Sequence, residues 1–107
     1  MPDFSVLFVD DEPLTRKITI RLLSRHFDVI EAESGNTALD YLETVGDTIG
    51  VIVTDMKMAN IDGMTLIRQV SRDYPDISVI ASTGDLATYD FSKMIEDGTI
   101  YSALEKP

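Results

Sequence analysis

Asp10 and Asp11 follow one apolar run, Asp55 follows a second, Thr83 a third and Lys106 a fourth. Each stands just after a strand-like stretch stops. In a parallel α/β sheet those points converge, because ligands bind in the crevice beyond the carboxyl ends of the strands. Three carboxylates, a hydroxyl and an ammonium would then share one small site. Carboxylates crowded in this way repel one another unless something compensates them, and a hard divalent cation with room for water, Mg²⁺, suits an oxygen-lined pocket of this kind. A carboxylate beside such a cation, an ammonium and a hydroxyl is a good phosphoryl acceptor. Aspartate forms covalent acyl phosphates, and phosphoryl transfer rests mainly on positioning and on neutralising charge at the equatorial oxygens. Asp55 fits the acceptor role, Lys106 and Thr83 the grip on two phosphoryl oxygens, and Asp10 and Asp11 the metal. The competing reading is a solvated helix start, since acids such as Asp10, Asp11 and Glu12 are favoured near a helix N-terminus. Recurrence of polar residues at matching points on three other strands weighs against it.

The elements that would carry these residues alternate along the chain. Phe4 to Val9 (FSVLFV) reads as a strand; Pro13 then opens a helix with Leu14, Ile18 and Leu22 on one face. Asp28 to Ala32 (DVIEA) is a second strand, and Ser34 and Gly35 start a second helix bearing Ala38, Leu39 and Leu42. Gly50 to Thr54 (GVIVT) has the near-continuous apolar character of a strand covered on both faces, which places it centrally and fixes Asp55 in the crevice. Asp62-Gly63 precedes a third helix with Met64, Ile67 and Val70 inward, ended by Pro75. Ile77 to Ser82 is the fourth strand, Leu86 to Asp97 a fourth helix capped by Gly98, and Ile100 to Leu104 the fifth strand. Five such alternations predict an α/β doubly wound parallel sheet with right-handed crossovers.

Composition bounds the function class. The 107 residues fit one domain with one core, and 44% hydrophobic content is ordinary for a folded globular chain. No apolar run approaches the roughly 20 residues that span a bilayer, and the N-terminus lacks a signal-peptide pattern, so the expectation is a cytoplasmic domain without a membrane partner. Zero cysteines exclude disulfides and thiolate metal ligation. A formal charge of −10 argues against direct nucleic-acid binding, which rests on Lys and Arg; cations and basic partner surfaces are favoured instead.

Taken in order, FVDDEP, TDMKMANIDG, YPDISVIASTG and DGTIYSALEKP resemble the receiver domain of bacterial two-component response regulators, in a subgroup joined to HD-GYP or other output domains. The resemblance covers essentially the whole chain. It implies a flavodoxin-like five-stranded sheet of order 2-1-3-4-5, an Asp55 that accepts a phosphoryl group from a phosphohistidine on a sensor histidine kinase or histidine phosphotransferase, and Mg²⁺ held by Asp11, Asp55 and the Lys57 backbone carbonyl with Asp10 assisting. It implies further that Thr83 and Lys106 grip the phosphoryl group, that the Lys106–Pro107 bond is cis, and that the face of helix four and strand five switches to control an output domain or partner. Such a domain turns over nothing else and is not an enzyme.

The chain departs from the family at three points. Ala59 stands where a proline is usual four residues after the acceptor, and Ala103 where an aromatic usually reports phosphorylation. Tyr101, on the same strand face by alternation, either substitutes for that aromatic or is core. The family's fifth helix is absent from the sequence, so residues 1–107 read as a piece of a longer regulator that exposes apolar surface from strands one and five, covered by a neighbouring domain or a second copy in a homodimer. Other classes fit less well. A haloacid-dehalogenase-type phosphatase needs D-x-D after its first strand, and a flavodoxin relative needs Ser, Thr and Gly there rather than DDEP; a phosphorylation-independent scaffold remains the alternative because of Ala103. His26 and the methionines flanking Asp55 read as structural, and the basic face Arg16, Lys17, Arg21 and Arg25 as a solvated helix surface. Lys57 and Asp85, each two residues past a site position, are expected to tune the lifetime of the phosphoryl group.

Overall fold

A computed structural model describes residues 3–106. The elements are β1 (Ser5–Val9), α1 (Pro13–Leu23), β2 (Asp28–Ala32), α2 (Gly35–Val45), β3 (Ile49–Asp55), α3 (Gly63–Asp73), β4 (Ser78–Thr83), α4 (Phe91–Glu96) and β5 (Ser102–Glu105), with 3-10 turns at Gly46–Thr48 and Leu86–Thr88. The five strands form one parallel sheet in the order β2-β1-β3-β4-β5. This is the doubly wound, flavodoxin-like architecture that the alternation predicts. The order reverses between β1 and β3, where a crevice opens at the carboxyl ends of the strands.

Local chemistry sets the helix starts. Glu12, Ser34 and Asp62 each accept a backbone N–H of the first turn, from Thr15, Thr37 and Thr65 respectively, and each such cap is worth about 1 kcal/mol. Gly98, at φ 83, takes the left-handed position that closes α4. The fourth helix is much shorter than the expected Leu86–Asp97. Asp85 accepts from Ala87 N–H at 3.0 Å and nucleates a separate 3-10 turn, so the α-helix begins only at Phe91.

The core lies mainly on one face of the sheet. Leu7, Val9, Ile52, Val79 and Ala81 alternate toward Leu42, Leu66, Ile67 and Val70 of α2 and α3, and all are fully buried. Met64 is only half-buried, and Leu66 takes the inward place beside Ile67 and Val70. The other face is partly open. Val53 and Ile80 are half-buried there, and Leu14, Ile18, Leu22 and Leu104 are all more than half exposed. A groove of about 510 Å³ runs between α1 and the sheet, lined by Leu14, Ile18 and Leu23 of α1 and by Phe8, Val53, Ile80 and Leu104. The expected exposed apolar surface is present, but it comes from α1 and β5; β1 is buried, with Phe8 at 4%.

Candidate functional site

The sheet register brings the chemistry together. Asp10 directly follows β1, and its N–H still pairs with Ala32 carbonyl oxygen at 3.1 Å. Asp55 is the last residue of β3 and lies opposite Ser82. Thr83 ends β4, and its carbonyl oxygen accepts Lys106 N–H at 2.7 Å just beyond β5. The carboxylates of Asp10, Asp11 and Asp55 each bring an oxygen within 4.8 Å of the others. Asp10 and Asp55 are buried, and Asp11 is exposed.

One cation is built into this cluster. Lys106 Nζ lies 3.1 Å from Asp10 Oδ2 and 3.1 Å from Asp55 Oδ2. Asp10 also accepts Glu12 N–H at Oδ1, 2.9 Å away. Burial pushes the Asp55 carboxyl above its ordinary pKa, Asp10 adds to that by like charge, and Lys106 opposes it. For Lys106, partial burial acts to lower the pKa, but hydrogen bonds and charge from Asp10 and Asp55 outweigh it and leave the ammonium raised. Two buried carboxylates, Asp10 and Asp55, share the one ammonium of Lys106. Hard carboxylate oxygens at this spacing, one of them solvent-facing, fit Mg²⁺, which keeps several waters and takes one or two carboxylates.

The loop after Asp55 is shaped to stay close. Met56 N–H donates to Ser82 carbonyl oxygen at 3.2 Å, and Gly63 N–H returns to Met56 carbonyl oxygen at 3.0 Å. Asn60 takes a left-handed φ of 66°, which asparagine tolerates better than most residues. Thr54, fully buried, donates its hydroxyl to Asp55 carbonyl oxygen at 2.9 Å. Lys57 contributes its N–H to Asp55 Oδ1 at 3.5 Å, and its side chain is exposed. At the position usually held by proline, Ala59 donates its N–H to Asp11 Oδ2 at 3.3 Å. A proline has no N–H to give, so this link from the loop after Asp55 to the exposed carboxylate of the cluster depends on the alanine.

Thr83 is 3% exposed, and its hydroxyl accepts Asp85 N–H at 3.2 Å. Asp10, Asp11, Asp55 and Lys106 thus meet in one cluster, with Thr83 at the end of the neighbouring strand and Lys57 in the loop after Asp55; the Lys106–Pro107 bond lies outside the described residues. Tyr101 is not core: it precedes β5, pairs its N–H with Val79 carbonyl oxygen and is 73% exposed. Ala103 is half-buried on β5 beside Ala81. Arg16 does not belong to the solvated face of α1. Its side chain is 17% exposed, and Nη1 donates to Asp10 carbonyl oxygen at 2.8 Å. Its helical phase, about half a turn from the exposed Leu14–Ile18–Leu22 stripe, is the signal that distinguishes it from Lys17 and Arg21.

The family model described as response regulator receiver domain matches residues 6–107. The sensor kinase CckA of Brucella abortus is 36% identical over 104 residues, which cover 96% of this chain and 11% of that protein. The chain thus spans about a tenth of that kinase's length. The receiver domain of an HD domain-containing protein from Pseudomonas fluorescens superposes with a TM-score of 0.85 at 27% identity, covering 99% of this chain and 84% of the other. The response regulator protein TrrA of Thermotoga maritima, in complex with Mg²⁺ and BeF, shares the fold with a TM-score of 0.81 at 20% identity, covering 97% of this chain and 87% of that one.

Proposed function

The chain belongs to the response regulator receiver domain family, and from that premise we propose that Asp55 is the phosphoryl acceptor of a two-component phosphorelay. The observation that carries the proposal is the Lys106 ammonium held between Asp10 and Asp55 at the carboxyl end of the sheet. In the reaction, an oxygen of the Asp55 carboxylate forms a bond to phosphorus as the bond from phosphorus to the histidine nitrogen breaks. The imidazole nitrogen leaves with the electron pair and takes up a proton. Lys106 moves its contact from the carboxylates to an equatorial phosphoryl oxygen, and the Thr83 hydroxyl turns from its own loop to donate to another.

Asp10, Asp11, Asp55 and the Lys57 carbonyl would hold Mg²⁺, which supplies neutralisation of the charge that gathers on the transferring group. Asp55 sits in a crevice whose register is fixed by strands on both sides, so little reorganisation precedes attack. The donor is the phosphohistidine of a sensor histidine kinase or a histidine phosphotransferase in the cytoplasm, and the domain turns over only its own phosphoryl group. The receiver beside an HD domain in Pseudomonas fluorescens supports an output domain as the recipient of the signal.

Phosphorylation shifts the face of α4 and β5 between two arrangements. With Ala103 in place of an aromatic, the shift runs through the β4–α4 segment that Thr83 anchors to Asp85. The same alanine favours a second reading, a scaffold that binds partners without phosphorylation. Amide NMR with Mg²⁺ and beryllofluoride, a phosphoryl stand-in on carboxylates, separates the two. Shifts at Asp55, Thr83, Lys106 and along α4, absent in Asp55→Asn, support the switching receiver. Shifts confined to the crevice restrict the domain to binding without relay, and none at all leaves the scaffold.

A further inference from the structure

Arg16 closes both sides of the acidic turn. Its backbone N–H donates to Glu12 carbonyl oxygen at 3.0 Å, and its guanidinium donates through Nη1 to Asp10 carbonyl oxygen at 2.8 Å. The segment between those two carbonyls carries Asp11, the exposed carboxylate of the cluster. The same guanidinium lies 3.5 Å, at Nε, from Oε2 of Glu31 on β2. One side chain thus ties the end of β1, the first turns of α1 and the penultimate residue of the edge strand β2.

A permanent cation beside a pocket that takes a cation is electrostatically wrong, because arginine does not deprotonate. Glu31 offsets it. The pair leaves a neutral clamp in which geometry remains and net charge does not.

We propose that Arg16 is a positioning residue for divalent-cation binding: it holds the Asp10–Asp11 main chain in ligating geometry while Glu31 cancels its charge. The inference rests on the Mg²⁺ reading of the cluster. Its use is that geometry and charge predict opposite signs. Deleting a nearby positive charge tightens cation binding, whereas deleting a support of a ligand weakens it.

The test is a Mg²⁺ titration followed by amide NMR on the intact chain and on Arg16→Met, Arg16→Lys and Glu31→Gln, with amide hydrogen exchange of the metal-free proteins. Arg16→Met is expected to weaken Mg²⁺ binding roughly tenfold, the low end for a residue that orients a metal ligand. Arg16→Lys, which keeps a donor, recovers part of that loss. Glu31→Gln keeps the clamp and exposes its charge, so it weakens binding about two- to threefold at low salt, and the deficit disappears as ionic strength rises. Equal or tighter binding by Arg16→Met overturns the proposal; should that variant not fold, binding by Arg16→Lys at the level of the unaltered chain does so. If the unaltered chain itself binds no Mg²⁺, the metal reading fails separately. Exchange then decides the clamp: faster exchange at Asp11 and Glu12 in the Arg16 variants supports it, and unchanged protection refutes it.

Discussion

Replacing Gly63 by alanine should loosen the loop after Asp55 through a steric conflict that can be sized. A Cβ at Gly63 would lie 2.6 Å from Met56 Cα and 3.0 Å from the Asp55 carbonyl carbon, and nearer still to the Asp55 carbonyl oxygen. Ordinary contact begins at 3.4 Å, so about 0.8 Å must be found at Met56 Cα alone. All three neighbours are main chain and cannot rotate away. Overpacking of a well-packed site costs about 1–3 kcal/mol, and a backbone obstacle on both flanks places this case near 3 kcal/mol. In a domain of this size that corresponds to a fall of roughly 13 °C in Tm. Gly84→Ala is the matched control, because nothing lies within 4 Å of its Cβ. Calorimetry should separate the two variants, and Mg²⁺ affinity should fall only in Gly63→Ala, as Asp55 moves with its carbonyl. Equal Tm values for the two, with unchanged Mg²⁺ affinity, would refute the reasoning.

Lys106→Met removes the counter-charge of a carboxylate that is 1% exposed; a loss of about 3 kcal/mol is expected, and Mg²⁺ should return part of it by binding the native state, measured as Tm against metal concentration. The raised Asp55 carboxyl has a definite linkage sign. Its contribution to stability is fully present below the ordinary carboxylate range, near about pH 4, and is lost as pH rises through the raised native value. Asp55→Asn should therefore stabilise the fold near neutrality and flatten denaturant-derived stability above pH 4, while abolishing phosphorylation; an unchanged pH profile would count against burial as the cause. Ile18→Lys with Leu22→Lys should leave Tm within about 1 °C, since both side chains are more than half exposed, and should reduce binding of an apolar dye; a large fall in Tm would show that the α1 stripe is packed.

The site was legible in the sequence because polar residues at strand ends report position directly: Asp10, Asp11, Asp55, Thr83 and Lys106 needed only the sheet to meet. Periodicity located α1 but not its orientation. Leu14, Ile18 and Leu22 repeat as a core face would, yet all three are more than half exposed, because a helical repeat states that a face is apolar and not what it meets. The length of α4 was misjudged because Asp85 competes locally for the backbone and restarts the helix six residues later. The contacts of Arg16 and Ala59 were not readable from the sequence for a shared reason. Each acts through a main-chain group, the Asp10 carbonyl or its own N–H, and residue type does not encode such partners.

The bond between Lys106 and Asp10 joins residues 96 positions apart. A ribosome adds roughly 5–20 residues per second, so the acidic residues of this crevice leave it several seconds before the one ammonium that quiets them. During that interval β1, β3 and β4 can pair, but the acids face each other with only solvent ions between them. A nascent chain halted anywhere before β5 therefore carries the acidic cluster without the ammonium that bridges Asp10 and Asp55. The crevice is complete only once the fifth strand has emerged, and products aborted before that point lack the counter-charge by construction of the topology rather than by surveillance.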